Sequence, residues 1–205
     1  MHSLWHEQPL LDWWFGTAPT LQARIEQRHG LWFGKHDAQD QQAQQRFGTA
    51  VKQALRGELD PSIDSPTRWL GLLLLLDQLP RMLYRQDARA FSGDRHAQAW
   101  VTRGLALGWA SSLDPLQRVF VYLVLEHQED LAAQEASVSH FSALLAEVST
   151  LEPAAQPAFA GFLDYAERHR AVIQRFARYP HRNALLERPS TPEELAFLRQ
   201  PGSSF

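Results

Sequence analysis

Three apolar segments of the chain end in short charged runs: DQLPRMLYR at 77–85, EHQED at 126–130 and RFARYPHRN at 175–183. These runs hold the residue types that bind anions or move protons. Asp77, Glu126, Glu129 and Asp130 bring carboxylates, and Arg81, Arg85, Arg175, Arg178 and Arg182 bring planar, bidentate donors. His127, His169 and His181 add groups that titrate near neutrality. If the three ends converge, they build one polar site. Charges set so close to apolar helices have to be paired when they are buried.

Three chemistries fit such a site. The plainest is an ion-pair and hydrogen-bond network that fixes helix packing, and it accounts for every residue named. A partly open cluster would instead bind a carboxylate, a phosphate or an acidic peptide end. Arg81, Arg85, Arg178 and Arg182 are then the donors, with Asp77, Glu126 and Glu129 orienting them. Gln78, Tyr84, His127, His181 and Asn183 complete that binding set, Asn183 being the only asparagine in the chain. The third is catalysis, hydrolysis included, by His127 or His181 paired with Glu126 or Asp130 as acid and base. No nucleophile accompanies it. Binding of an anionic small molecule or acidic peptide is the reading adopted, with the other two open beside it.

No metal is expected. Glu126 with Glu129, and His127 with Asp130, have helical spacing, but the second Glu-x-x-His set of di-iron bundles is missing and nearby arginines compete for the carboxylates. Walker, dinucleotide-glycine, HExxH and GxSxG motifs are also absent, so the sequence names no cofactor.

The elements that must position these residues read as helices. Trp69 to Leu76 leaves no polar face, so its helix has to be surrounded by protein, with Ser65 as cap and Pro66 in its first turn. Pro80 predicts an end or kink at Asp77 to Leu79. The stretch 9–15 and the run LWFG at 31–34 form two aromatic clusters expected to pack together, and Asp37 is the expected cap of a helix reaching Leu55. A stripe from Ala90 to Leu107, a helix after Asp114 and Pro115, an amphipathic helix from Leu131 to Val148 and another through Phe159 to Phe176 follow. Thr191, Pro192 and Glu194 mark a last short helix holding Leu195 and Leu198, before a loose PGSSF tail. The reading is all-α, an array of antiparallel helical hairpins with about nine or ten helices.

With 205 residues and 44% hydrophobic content the chain can bury a substantial core, and one domain over 1–205 is expected. A net charge of -3 supplies no basic field for nucleic acid. Cysteine is absent, which removes disulfides and thiolate chemistry. The N-terminus does not read as a signal peptide, and no apolar run approaches membrane-spanning length, so a cytoplasmic protein is expected. Oligomeric state stays open.

Taken together, LLDWWFG, LWFGKHD, the three charged runs and RPSTPEELAFL resemble the bacterial family called domain of unknown function 924, over about residues 11–205. The match includes Asp77, Gln78, Pro80, Arg81, Tyr84, Arg85, Ala90, Phe91, Asp94, Glu126, His127, Glu129 and Asp130. It continues through Arg175, Phe176, Pro180, His181, Arg182 and Asn183. Met82, Gln128, Ala177 and Glu187 depart from the family pattern, the last two standing where it has glycine. The resemblance implies an all-helical fold similar to tetratricopeptide-repeat proteins, and it implies no reaction.

Overall fold

The structure is a computed structural model that describes residues 5–203. Among them there are helices and turns and no strand. The α-helices are α1 (Gln8–Phe15), α2 (Leu21–Phe33), α3 (Asp37–Leu55), α4 (Pro66–Leu73), α5 (Leu79–Leu83), α6 (Asp94–Ala106), α7 (Pro115–Glu126), α8 (Leu131–Leu151), α9 (Gln156–Phe176) and α10 (Pro192–Leu198). Their starts follow from local chemistry. Ser65, Asp114, Asp130 and Thr191 each accept a backbone N–H of the first turn, and Asp114 and Thr191 close full capping boxes with Gln117 and Glu194. Asp37 does not cap α3: His36 takes that position without a side-chain bond, and Asp37 lies in the first turn. The last two residues of the PGSSF tail lie outside the described residues, and Ser203 before them is buried and donates to Leu198 O.

The apolar run of α4 is enclosed on every side, as its composition requires: Trp69, Leu70 and Leu72 to Leu76 are fully buried. The helix does not stop where Pro80 demands a break. A π turn at Leu74–Gln78 joins α4 to α5, with Leu79 N–H bonded to Leu74 O. The extra residue absorbs the missing N–H and the ring of Pro80, so the chain runs on as helix. Leu76 O, which Pro80 cannot bond, faces Gly93 so closely that a Cβ there would lie 2.1 Å from it.

Helix α7 is the second enclosed helix, buried from Val119 to Glu126 and packed on α4, α6, α8 and α9. Helices α7, α8 and α9 follow one another through short connections and stack side by side. The N-terminal aromatics meet α7: Trp14, Phe15 and Trp32 surround Phe120 at ring distances of 5.2–5.4 Å, and Trp32 donates its indole N–H to Trp14 O at 2.9 Å. The two aromatic clusters thus do pack together, except for Phe33, which is 46% exposed. Helix α2 is further pinned by Glu152, whose carboxylate accepts Leu21 N–H and Gln22 N–H at 3.0 and 2.9 Å and meets the positive end of the helix dipole.

Among the described residues three that are not glycine adopt left-handed backbone: Gln86 at φ 61°, Ala177 at 56° and Glu187 at 52°. Two of them, Ala177 at the end of α9 and Glu187, are positions where the resemblance noted above implies glycine. The backbone there calls for it.

Candidate functional site

The π turn buries Asp77, only 1% exposed, at the point where α5 begins. Its carboxylate accepts Gln78 Nε2 at 2.6 Å, faces His127 Nδ1 at 2.8 and 2.9 Å and pairs with Arg81 at 3.1 Å. Burial pushes its pKa up, but Arg81 and His127 outweigh that and hold it below the usual carboxylate range. Arg81 also caps Asp77 O at 2.6 Å and forks onto Asp94 at 2.9 and 3.0 Å. Arg182 reaches the same Asp94 at 3.3 Å and His127 O at 3.1 Å, with its guanidinium over the rings of Phe91 and Tyr179 at 4.8 and 4.5 Å. Burial and the neighbouring Arg81 lower its pKa, and burial above all lowers that of His127.

The three charged runs therefore meet, and their arginines are spent on internal partners. Glu129 is forked by Arg188 at 2.6 and 2.8 Å and accepts Tyr179 N–H at 2.8 Å. Arg178 forks onto Glu194, which Asn183 also reaches at 3.3 Å, and Arg175 pairs with Glu193, so these three tie α10 down rather than line a site. Asp130 caps α8. Tyr84 lies under the guanidinium of Arg89 at 4.6 Å. His181 packs on Tyr179, and burial with Arg182 nearby brings its pKa down to about 4. As for metals, no group of three or more histidines and carboxylates among the described residues is arranged to hold one.

Arg85 leaves this cluster. It forks onto Asp40 of α3, with Nη2 at 2.9 Å from Oδ1, and lines a cavity of about 520 Å³ bounded by α2, α7 and α9. Trp32, Phe33, Leu123, Phe162 and Tyr165 give the cavity apolar walls. Lys35 and Arg85, both exposed, stand at its mouth; Lys35 makes no ion pair among the described residues. Gly161 opens the α9 side, because a Cβ there would meet no atom within 4 Å.

Glu126 forms the floor, 2% exposed. Its backbone carbonyl accepts Tyr179 O–H and Gln134 Nε2, the latter at 2.6 Å, which fixes the last turn of α7 and aims the side chain. Oε1 lies 3.0 Å from His169 Nδ1, while Oε2 has no hydrogen-bond partner. Burial first, and the charge of Asp77 second, raise the Glu126 pKa well above the ordinary carboxylate value. Burial likewise lowers His169 to about 3, so that ring is neutral. Of the residues expected to form a site, only Glu126 and Arg85 line this cavity. Sequence reasoning passed over His29, Phe33, Lys35, Gly161 and Phe162; a glycine in mid-helix beside aromatics, FAGFLDY, was the signal available.

Among the described residues no helix is long and apolar enough to cross a membrane. No curated protein matches the chain. A solved structure, that of the protein of unknown function ATU0120 from Agrobacterium tumefaciens, is similar with 34% identity and a TM-score of 0.72, the match covering 87% of this chain and 97% of that one. The model of a family described as bacterial proteins of unknown function, DUF924, matches residues 10–202, the span holding both the Asp77 cluster and the Glu126 cavity. The chain belongs to the DUF924 family.

Proposed function

We propose that the protein binds a small molecule with an apolar body and an anionic group in the cavity between α2, α7 and α9. The observation that carries this is the cavity's polarity gradient. Aromatic walls accept an apolar body, Lys35 and Arg85 at the mouth meet a negative charge, and Glu126 closes the inner end. Its volume of about 520 Å³ suits a molecule rather than a water or an ion. An anionic ligand was the expectation from sequence, but its donors shift: Arg81, Arg178 and Arg182 serve internal carboxylates away from the cavity, and Arg85, itself paired with Asp40, is the one of the four that stands at the cavity, beside Lys35.

One observation favours an enzymatic alternative. Asp77 orients His127 through Nδ1, as a carboxylate orients a catalytic imidazole, although Asp77 takes the place expected for Glu126 or Asp130 and His127 does not line the cavity. Binding explains more of the geometry.

Gly161→Leu tests the reading, because it fills the cavity from a helical position with open space around it. Replacing a mid-helix glycine raises stability by up to about 1 kcal/mol. Calorimetric titration with para-isopropylbenzoate is expected to show binding to wild type and none to the variant. Equal binding to both proteins, or none to either, contradicts the proposal.

A further inference from the structure

Resting on that reading, we propose that Asp40 of α3 sets the charge of the ligand. By neutralising Arg85 it leaves one net positive charge at the cavity mouth, that of Lys35. The ligand class then narrows to monoanions such as carboxylates, with phosphate dianions disfavoured. Asp40 acts through Arg85 and does not itself line the cavity.

Arg85 follows the end of α5, and its guanidinium is divided between two neighbours. Nε and Nη2 fork onto Asp40, Nη2 at 2.9 Å from Oδ1, and Nη2 also approaches Gly34 O at 3.4 Å. Nη1 has no partner among the described residues, so its N–H groups are the ones left for a ligand. Asp40 lies in the first turn of α3, at the positive end of the helix dipole, and its side chain is 17% exposed against 32% for Arg85. The carboxylate stands on the far side of the guanidinium: Arg85 lines the cavity, whereas Asp40 lines a neighbouring hollow with Gln41, Gln44 and Gln45. The pair therefore offers the cavity directional donors without a net charge. Lys35, which makes no ion pair among the described residues, supplies the charge. A carboxylate matches one such cation. The second charge of a phosphate ester would meet apolar walls and no counter-ion, and Glu126 at the inner end adds no positive charge.

Three probes with one apolar body count that charge: para-isopropylbenzamide carries none, para-isopropylbenzoate one and para-isopropylphenyl phosphate two. Calorimetric titration at about pH 8 keeps imidazoles neutral and the phosphate doubly ionised. Wild type is expected to bind the benzoate about fivefold or more tightly than either of the others. Asp40→Asn keeps an oxygen for Arg85 and adds one net positive charge to the mouth. There the phosphate is expected to gain about fivefold on the benzoate, and the gain to shrink in high salt. Lys35→Gln, at an exposed position, is expected to erase the benzoate's advantage over the benzamide, and it carries the test if Asp40→Asn does not fold. A wild type that binds the phosphate as tightly as the benzoate overturns the inference and leaves the pocket standing. So does an Asp40→Asn protein that keeps the wild-type preference or weakens all three probes alike, since Asp40 then only positions Arg85. A benzoate advantage that survives in Lys35→Gln overturns it as well. Failure of every probe to bind wild type overturns the pocket and this inference together.

Discussion

Ala177 and Glu187 hold left-handed backbone that suits glycine, and both residues are exposed. A Cβ in that conformation costs about 1 kcal/mol or more, part of which the greater freedom of an unfolded glycine offsets. Ala177→Gly and Glu187→Gly are each expected to stabilise the protein by about 0.5–1 kcal/mol in urea titrations. A loss of stability in both would mean the turns relax to accommodate side chains. At this scale the charged residues were legible in the sequence, but their roles were not. Arg81, Arg178 and Arg182 look like ligand donors when only their spacing is visible. Asp94 and Glu194, 13 and 16 residues away in sequence from Arg81 and Arg178, decide that they are counter-ions. Glu126 reads as one more charge in EHQED, and only the helices packed around it make it an acid in an apolar cavity.

The π turn at Leu74–Gln78 is the element that makes the Asp77 cluster possible. Without it Pro80 would end the helix, and Arg81 would not lie on the same rod as Asp77. The sequence identified the start of α4, its full enclosure and a disruption at Pro80. It could not tell a break from an inserted residue, because both satisfy proline; the choice is made by Gly93, whose bare backbone lets the loop before α6 close on Leu76 O. Gly93→Ala would place a methyl 2.1 Å from that oxygen, with backbone on both sides and no flexible side chain to yield. It is expected to lower stability by about 3 kcal/mol in urea titration. A change below about 0.5 kcal/mol would show that the approach is not tight in solution. Helix caps were the most legible elements: Ser65, Asp114 and Thr191 act where the sequence says, since capping depends on residues within one turn.

For the whole molecule, the all-helical class was legible from apolar spacing, while the meeting of the three charged runs could be posed from their position at helix ends only as a condition. The cavity was not, because it depends on how α2, α7 and α9 diverge, and on a glycine whose effect is to leave space. Buried titrating groups also pull the molecule's pH dependence in opposite directions. His169 and His181, lowered by burial to about 3 and about 4, contribute stability that is lost as pH falls below their ordinary value of 6.5. Glu126, raised by burial, contributes stability that is fully present below its ordinary value of 4.5 and lost as pH rises through its folded pKa. A bulk melting curve sums these, so the acid has to be watched at its own carbon. The direct measurement is carbon NMR of protein labelled at the glutamate carboxyl, followed through a pH titration. One carboxyl is expected to remain protonated after the exposed glutamates have ionised by about pH 6. It should be missing from Glu126→Gln, and should shift on addition of para-isopropylbenzoate in wild type but not in Gly161→Leu. If every glutamate carbon has ionised by that pH and none responds to the probe, the neutral acid at the floor of a binding cavity is contradicted.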